Sequence, residues 1–316
     1  MNKIGISTAH TVDRYAPEAG VKAIHDAGFD CMDYNFDEYL PGSKIASGEF
    51  TPFIEQPTEK IIESQQAIKD ASKKYGVEFS QMHAPFQLYV YGNDEINEHC
   101  YEIIDKTMAV AQFLGVPQVV LHPNTLTKFC SLEEERKINL EYFKRMIPIA
   151  QKYGVGICLE NMFGWGIRHA LQGCCADAEE AVWYMETLNK EAGDDTFGFC
   201  LDTGHIHITC RDYYRTITTL GSHLKILHMH ENNGEQDMHA LPFTYSCFFL
   251  QTPEPTLNWN DFCRGLADIG YSGTLNFETC GSMQMFPKDT HDELRALIAS
   301  CGRHFAREIE RYKAQK

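Results

Sequence analysis

The chain is expected to fold as a single (β/α)8 TIM barrel, an α/β architecture spanning residues 1–316. Three observations lead there. Apolar, strand-like runs alternate with helical stretches to the end of the chain. Six of those runs, VEFSQMHAPF, PQVVLHPN, GVGICLENM, FGFCLDTGH, LKILHMHENN and GTLNFETCG, stay apolar, deliver a His, Asp or Glu, and then break. Buried parallel strands read this way, and barrel enzymes carry their chemistry at such strand ends. A length of 316 residues also suits one α/β barrel domain. A doubly wound open sheet would want a Gly-rich first turn, which Ser7–Asp13 lacks.

The elements follow in order. Strands are expected at Lys3–Ser7, Cys31–Asn35, Phe79–Met82, Gln118–Leu121, Gly156–Leu159, Phe197–Leu201, Leu224–Leu227 and Gly273–Asn276. The first helix, Ala16–Ala27, is closed by Gly28. Pro57–Tyr75 opens on proline and stops at Gly76. Glu95–Leu114 stops at Gly115, and Ser131–Tyr153 opens on a capping box, Ser-Leu-Glu-Glu. Asp177–Glu191, Asp212–Leu220, Asn258–Ile269 and His291–Tyr312 complete the series. Two long loops, Asp37–Gln56 and Gly234–Leu257, lie on the expected catalytic side. The second is aromatic enough to cover a substrate.

Apolar residues make up 43%, enough for a core, and the formal net charge is −16. That sign repels phosphate backbones, so no nucleic-acid partner is expected. No transmembrane run or secretory signal at Met1–Ile4 is visible, and the 12 cysteines form no CxxC pair. Together these favour a reducing cytoplasm and no membrane partner. Cys158, Cys200 and Cys263 sit in apolar runs and read as core. Cys174 and Cys175 are loop-like and are expected to be the exposed thiols. Oligomeric state is left open, a homo-oligomer included.

Nine residues carry ligand chemistry: His83, His122, Glu160, Asp202, His205, His228, Asp237, His239 and Glu278. Glu160, Asp202, His228 and Glu278 end strands five to eight, so four ligands can converge. Buried carboxylates this close need a cation, and carboxylates with an imidazole suit Mn²⁺, Mg²⁺ or Zn²⁺. His228 and His230 share a strand parity and compete for one role, with His228 better placed. His205 follows Asp202 in DTGH, where Gly204 is read as a tight turn; His207 is expected to face elsewhere. Asp237 and His239 form a D-x-H pair, and His83 and His122 end strands three and four. These five are substrate contacts or ligands of additional metal. Phe86, Phe163, Trp165, Phe243 and Tyr245 are candidates to pack on a sugar face. His99, His169, His223, His291 and His304 read as surface positions.

The segments LDTGH at Leu201–His205, ENMFG at Glu160–Gly164 and HMHENNGEQDMH at His228–His239 resemble the xylose-isomerase-like barrels. That family includes sugar isomerases, sugar epimerases and the endonuclease IV type of abasic-site nuclease. The resemblance implies one divalent metal ion on Glu160, Asp202, His228 and Glu278. From the epimerase branch it implies that Glu160 and Glu278 also exchange protons with a substrate carbon. From the nuclease branch it implies additional zinc ions on His83, His122, His205, Asp237 and His239.

Departures accompany the match. No Arg follows the strand-seven histidines, Gly166 stands near where ketose 3-epimerases carry an extra Glu, and Gly204 stands where the nucleases usually have Cys. The expected function is a divalent-metal-dependent sugar isomerase or epimerase acting through a metal-stabilised enediolate. Its substrate would be a small, unphosphorylated monosaccharide or polyol-derived ketone. A lyase or dehydratase on an inositol or sugar derivative would use the same site. An endonuclease IV-like phosphodiesterase is the remaining alternative.

Overall fold

The computed structural model describes residues 1–126, 128–166, 170–246 and 257–316. Eight strands make up its main sheet: β1 (Ile4–Ser7), β2 (Cys31–Asn35), β3 (Glu78–His83), β4 (Gln118–Leu121), β5 (Gly156–Glu160), β6 (Phe197–Asp202), β7 (Leu224–His228) and β8 (Leu275–Phe277). From β1 to β7 each strand pairs in parallel with the next, and β8 pairs with β1. The ring closes between β7 and β8. There the Met229 amide donates to Asn276 O at 2.8 Å, and the Glu278 amide donates to Met229 O at 3.1 Å. The result is the expected (β/α)8 barrel.

Side chains alternate along each strand, and this alternation positions the site. Val120, Cys158, Cys200 and Ile226 form a small apolar cluster across β4 to β7. Two residues further along those strands stand His122, Glu160, Asp202 and His228. The same spacing takes Gln81 to His83 on β3 and Asn276 to Glu278 at the end of β8. A layer of small apolar and amide side chains therefore underlies a layer of ligands. The main apolar core lies between the strands and the surrounding helices, with Ile4, Met82, Phe143, Phe197 and Phe305 buried in it.

Two expected helices are broken. Pro57–Tyr75 is two helices, Thr58–Ser64 and Gln66–Tyr75. At the joint Gln65 is buried and accepts a hydrogen bond from the Tyr34 hydroxyl. Ser131–Tyr153 becomes Leu132–Lys144 and Ile147–Tyr153, because Pro148 cannot donate back to a carbonyl one turn earlier. Short helices at Gly42–Ser47, Thr203–Ile208 and Cys280–Met285 were not expected; each is only six residues, too short to show a helical period.

The expectation for Cys174 and Cys175 is corrected. Both are buried, and Cys174 Sγ accepts from the Asn139 side chain at 3.5 Å. Cys210 is the exposed thiol among the described residues. His169 and much of the aromatic loop, residues 247–256, lie outside the described residues. No helix among the described residues is long and apolar enough to cross a membrane.

Candidate metal centre

All nine candidate residues fall in one connected cluster at the C-terminal mouth of the barrel. His83 donates through Nδ1 to its neighbour, Ala84 O, at 2.6 Å. That leaves His83 Nε2 facing His122 Nε2 at 3.0 Å. His122 Nε2 in turn lies 3.0 Å from Glu160 Oε2. The other Glu160 oxygen, Oε1, is 3.3 Å from His228 Nδ1, and Glu278 Oε2 is 3.4 Å from that same nitrogen. Glu160 and Glu278 thus both approach one nitrogen of His228.

Asp202 joins the cluster less directly. Its Oδ1 caps the helix Thr203–Ile208 by accepting from the His205 amide at 2.7 Å. Its Oδ2 lies 2.9 Å from His230 Nε2. His205 Nδ1 stands between Glu160 Oε1, at 3.6 Å, and Asp202 Oδ1, at 3.8 Å. His228 and His230 have different nearest partners, although both reach Glu278 within 4.8 Å. His228 faces Glu160 and Glu278, while His230 faces Asp202 and Asp237 Oδ1, the latter at 3.6 Å. The D-x-H pair closes the ring. Asp237 Oδ2 lies 3.3 Å from His205 Nε2 and 3.0 Å from His239 Nε2. His239 Nδ1 donates to Glu278 O at 3.1 Å.

Two glycines permit this convergence. Gly204 does not adopt a left-handed conformation, so its role is not the tight turn expected from sequence. A Cβ there would stand 2.0 Å from His230 Cε1, so the missing side chain is where His230 packs. Gly281 plays the same part for the D-x-H loop, where a Cβ would meet Met238 O at 1.9 Å. His239 itself holds a positive φ of 45°, an uncommon conformation that non-glycine residues keep only where their surroundings enforce it.

The electrostatics alternate. Burial works to raise the Glu160 carboxyl, but His228 and His122 overcome it and hold the group well below the usual range. Asp202 is likewise lowered by His205 and His230 against its burial, and Asp237 lies well below its ordinary value beside His205 and His239. Among the imidazoles, burial opposes protonation, yet Asp202 and Asp237 raise His205 to about 10. Cys200, Glu278 and Glu160 raise His228, and Glu278 and Asp237 raise His239, both well above the ordinary value. Burial prevails at His122, which is lowered. Without metal, protons on imidazole balance the carboxylates.

A divalent ion fits this donor set. Ligand atoms of His83, His228 and Glu278, of Asp202, His205 and His230, and of His230, His239 and Glu278 lie in sets within 4.8 Å of one another, and nearly all of these residues are buried. Asp237 Oδ1 and His230 Nδ1 are buried with no hydrogen-bond partner among the described residues.

Sequence reasoning passed over Asp33, a buried carboxylate in the middle of β2. Its Oδ2 lies 3.2 Å from His228 Nε2 and accepts from Gln81 at 3.2 Å and Asn276 at 3.0 Å. The signal was present: an Asp inside the strand CMDYN has no reason to be buried unless something polar meets it. Glu231, next to His230, is also buried; it accepts from Trp259 Nε1 at 3.0 Å and the Tyr245 amide at 2.6 Å, tying down the following loop.

A cavity of about 560 Å³ opens above the ring, lined by His83, His122, Glu160, His205, Asp237, His239 and Glu278. Asp202 and His228 lie beneath it, fully buried. Of the candidate aromatics, Phe86, Phe163 and Trp165 line the cavity. Phe243 stacks on Phe305 instead, at 5.2 Å between centroids. His207 faces away from the ring, toward Asn232 Oδ1 at 2.8 Å.

A closed parallel barrel with acids and imidazoles ringing its C-terminal mouth defines a class of barrel enzymes. The chain belongs to the xylose isomerase-like TIM barrel family, whose model matches residues 21–301. Among curated relatives, protein y4fM of Sinorhizobium fredii is 26% identical over 179 residues, 56% of this chain and 52% of that protein. Protein MJ1311 of Methanocaldococcus jannaschii is 25% identical over 65% of each chain. A probable endonuclease 4 of Mycoplasma pneumoniae is 24% identical over 50% of this chain and 56% of that one. The matches span between about half and two thirds of these relatives' length.

Solved structures of sugar epimerases share the whole fold. A D-tagatose 3-epimerase-like protein superposes with a TM-score of 0.67 at 18% identity, covering 98% of both chains. An L-ribulose 3-epimerase gives 0.68 at 16% identity, covering 100% of this chain and 97% of its own. A 3-keto-D-glucoside 4-epimerase of E. coli gives 0.66 at 14% identity, covering 95% and 100%.

Proposed function

We propose that this protein is a divalent-metal-dependent sugar isomerase or epimerase. The observation that carries the reading is the pair Glu160 and Glu278. They approach one nitrogen, His228 Nδ1, at 3.3 and 3.4 Å, and both line the cavity. Two carboxylates flanking one small volume suit removal of a proton from a substrate carbon and its return to the same or the neighbouring carbon. Glu160, Asp202, His228 and Glu278 would hold the ion, which when bound supplies Lewis-acid stabilisation of the enediolate charge. Glu278 is the better placed base, since Glu160 is already tied to His122 and is more deeply buried. His122 holds Glu160 in position to return the proton. His83, Asp237 and His239 line the cavity where sugar hydroxyls would sit.

The test is isotope exchange. Metal-loaded enzyme in heavy water, offered a panel of ketoses and aldoses, exchanges a substrate C–H for deuterium. Absence of exchange on every sugar would remove this reading.

A second reading has its own observation. His83 and His122 reach toward Glu160 on one side, and on the other Asp237 Oδ2 lies 3.3 Å from His205 Nε2 and 3.0 Å from His239 Nε2. This arrangement would suit additional zinc ions beside the first, as a multi-metal phosphodiesterase would use. The net charge of −16 weighs against a DNA substrate. Cleavage of an abasic-site duplex, with no sugar exchange, would favour it.

A further inference from the structure

The cavity above the ligand ring has two zones. Its floor is polar, made by the imidazoles and carboxylates already described. Its rim carries aromatic rings beside the exposed Gln87 and Lys128. Phe86, Phe129 and Trp165 line it, and 38%, 65% and 44% of their respective surfaces remain exposed. Large aromatic rings left in water around one hollow mark a place where something apolar binds.

Each ring is braced from behind. Phe86 meets His122 edge-on, with centroids 4.8 Å apart. Trp165 stands at 88° to Phe163, 5.3 Å away, on the hairpin of Phe163–Trp165 and Ala170–Gln172. Phe129 stacks on Tyr91 at 5.4 Å. The rim is therefore set in place by the same scaffold that positions the floor.

A free sugar matches only half of this cavity. It carries hydroxyls around its whole edge, which suits the floor and leaves the three exposed rings unpaired. The volume of about 560 Å³ falls in the range of drug-sized ligands, more than one pyranose ring fills. A ligand that matches both zones has a sugar at one end and a flat apolar group at the other. We propose that the substrate is an aryl glycoside whose sugar ring carries a ketone, the carbonyl that enediolate chemistry needs, and that simple aryl glycosides bind as its analogues. The sugar lies on the floor, and the aryl group sits among Phe86, Phe129 and Trp165 in offset or edge-on contact. The proposal rests on the sugar reading of the floor and adds the class of substituent.

The test uses metal-loaded protein and matched probes: the phenyl and methyl glycosides of D-glucose and D-galactose, in both anomers, with affinities measured by calorimetry. At least one phenyl glycoside is expected to bind tenfold or more tighter than its methyl counterpart. In a Trp165→Ala/Phe129→Ala double variant that keeps its metal and melting temperature, that ratio is expected to fall to about threefold or less. If no phenyl glycoside exceeds its methyl partner by threefold, or if the double variant keeps the ratio, the subsite is overturned. Its failure is separable from that of the chemistry. Deuterium exchange on a free sugar with a ratio near one would sink the subsite alone; a high ratio with no exchange on any sugar would sink the chemistry alone.

Discussion

His228 Nε2 lies 3.2 Å from Asp33 Oδ2, while the opposite ring nitrogen faces Glu160 and Glu278. The carboxylate on β2 thus favours a proton on Nε2 and leaves Nδ1 free to donate its lone pair to an ion. Outer carboxylates that orient a metal-binding histidine typically matter 10–100-fold in affinity. Asp33→Asn is isosteric and is expected to weaken divalent metal binding by about tenfold or more, with the fold preserved. Titration with a competing chelator checks this, and an unchanged affinity would count against the orienting role.

Metal and protons compete for the same imidazoles. In the metal-free protein His205 is raised to about 10 and His228 is raised well above the usual value. Loading an ion at neutral pH is therefore expected to release protons, and affinity is expected to rise with pH. Calorimetry in buffers of different ionisation enthalpy reads the number released; a value of zero contradicts the protonation pattern.

The sign for stability without metal runs both ways. The raised His205 contributes fully below about 6.5, the ordinary imidazole value, and its contribution is lost as pH rises through about 10. Glu160, Asp202 and Asp237 are lowered, so their contribution holds above about 4 and is lost as pH falls through their depressed values. The metal-free melting temperature is expected to peak between these limits and to fall by pH 10.5. Melting scans from pH 3 to 10.5 with chelator present measure it.

Glu278→Gln keeps the size and an oxygen donor but removes the base. Proton exchange is expected to drop by about 10²–10⁴-fold, with metal content checked by elemental analysis. A metal-bearing Gln variant that exchanges at the wild-type rate would show that the base lies elsewhere.

Gly204→Ala places a Cβ where His230 packs, 2.0 Å from its Cε1. Overpacking of this kind costs about 1–3 kcal/mol or more, and it also pushes His230 away from Asp202. A lowered melting temperature together with weaker metal retention is the expected result. A variant that melts as the wild type does would mean the ring yields freely.

Much of this site was legible because strand alternation and strand ending coincide. An apolar run that stops at Glu160, Asp202 or His228 declares both its direction and its last inward-facing residue. The approach of Glu160 and Glu278 to His228 followed from that order. Asp33 was passed over because it lies mid-strand and not at a strand end, although an acid inside CMDYN was itself a signal. The different nearest partners of His228 and His230 were also out of reach. They share a face by parity, and only the approach of Thr203–Ile208 and the D-x-H loop assigns each its neighbours. Cys174 and Cys175 were misjudged because polar and small flanking residues read as loop, whereas tertiary packing buries the thiols beneath Asn139 and Tyr184.

The closing contacts between β7 and β8 bear on when the site comes into being. Its side chains are drawn from His83 through Glu278, and Glu278 is anchored by the amide bond that seals the ring. No fragment lacking the last strand contains the whole cluster. Capture of an ion by the full set therefore reports that the barrel has shut, so during refolding a metal-sensitive signal should appear with the final cooperative step and should lag behind helix formation.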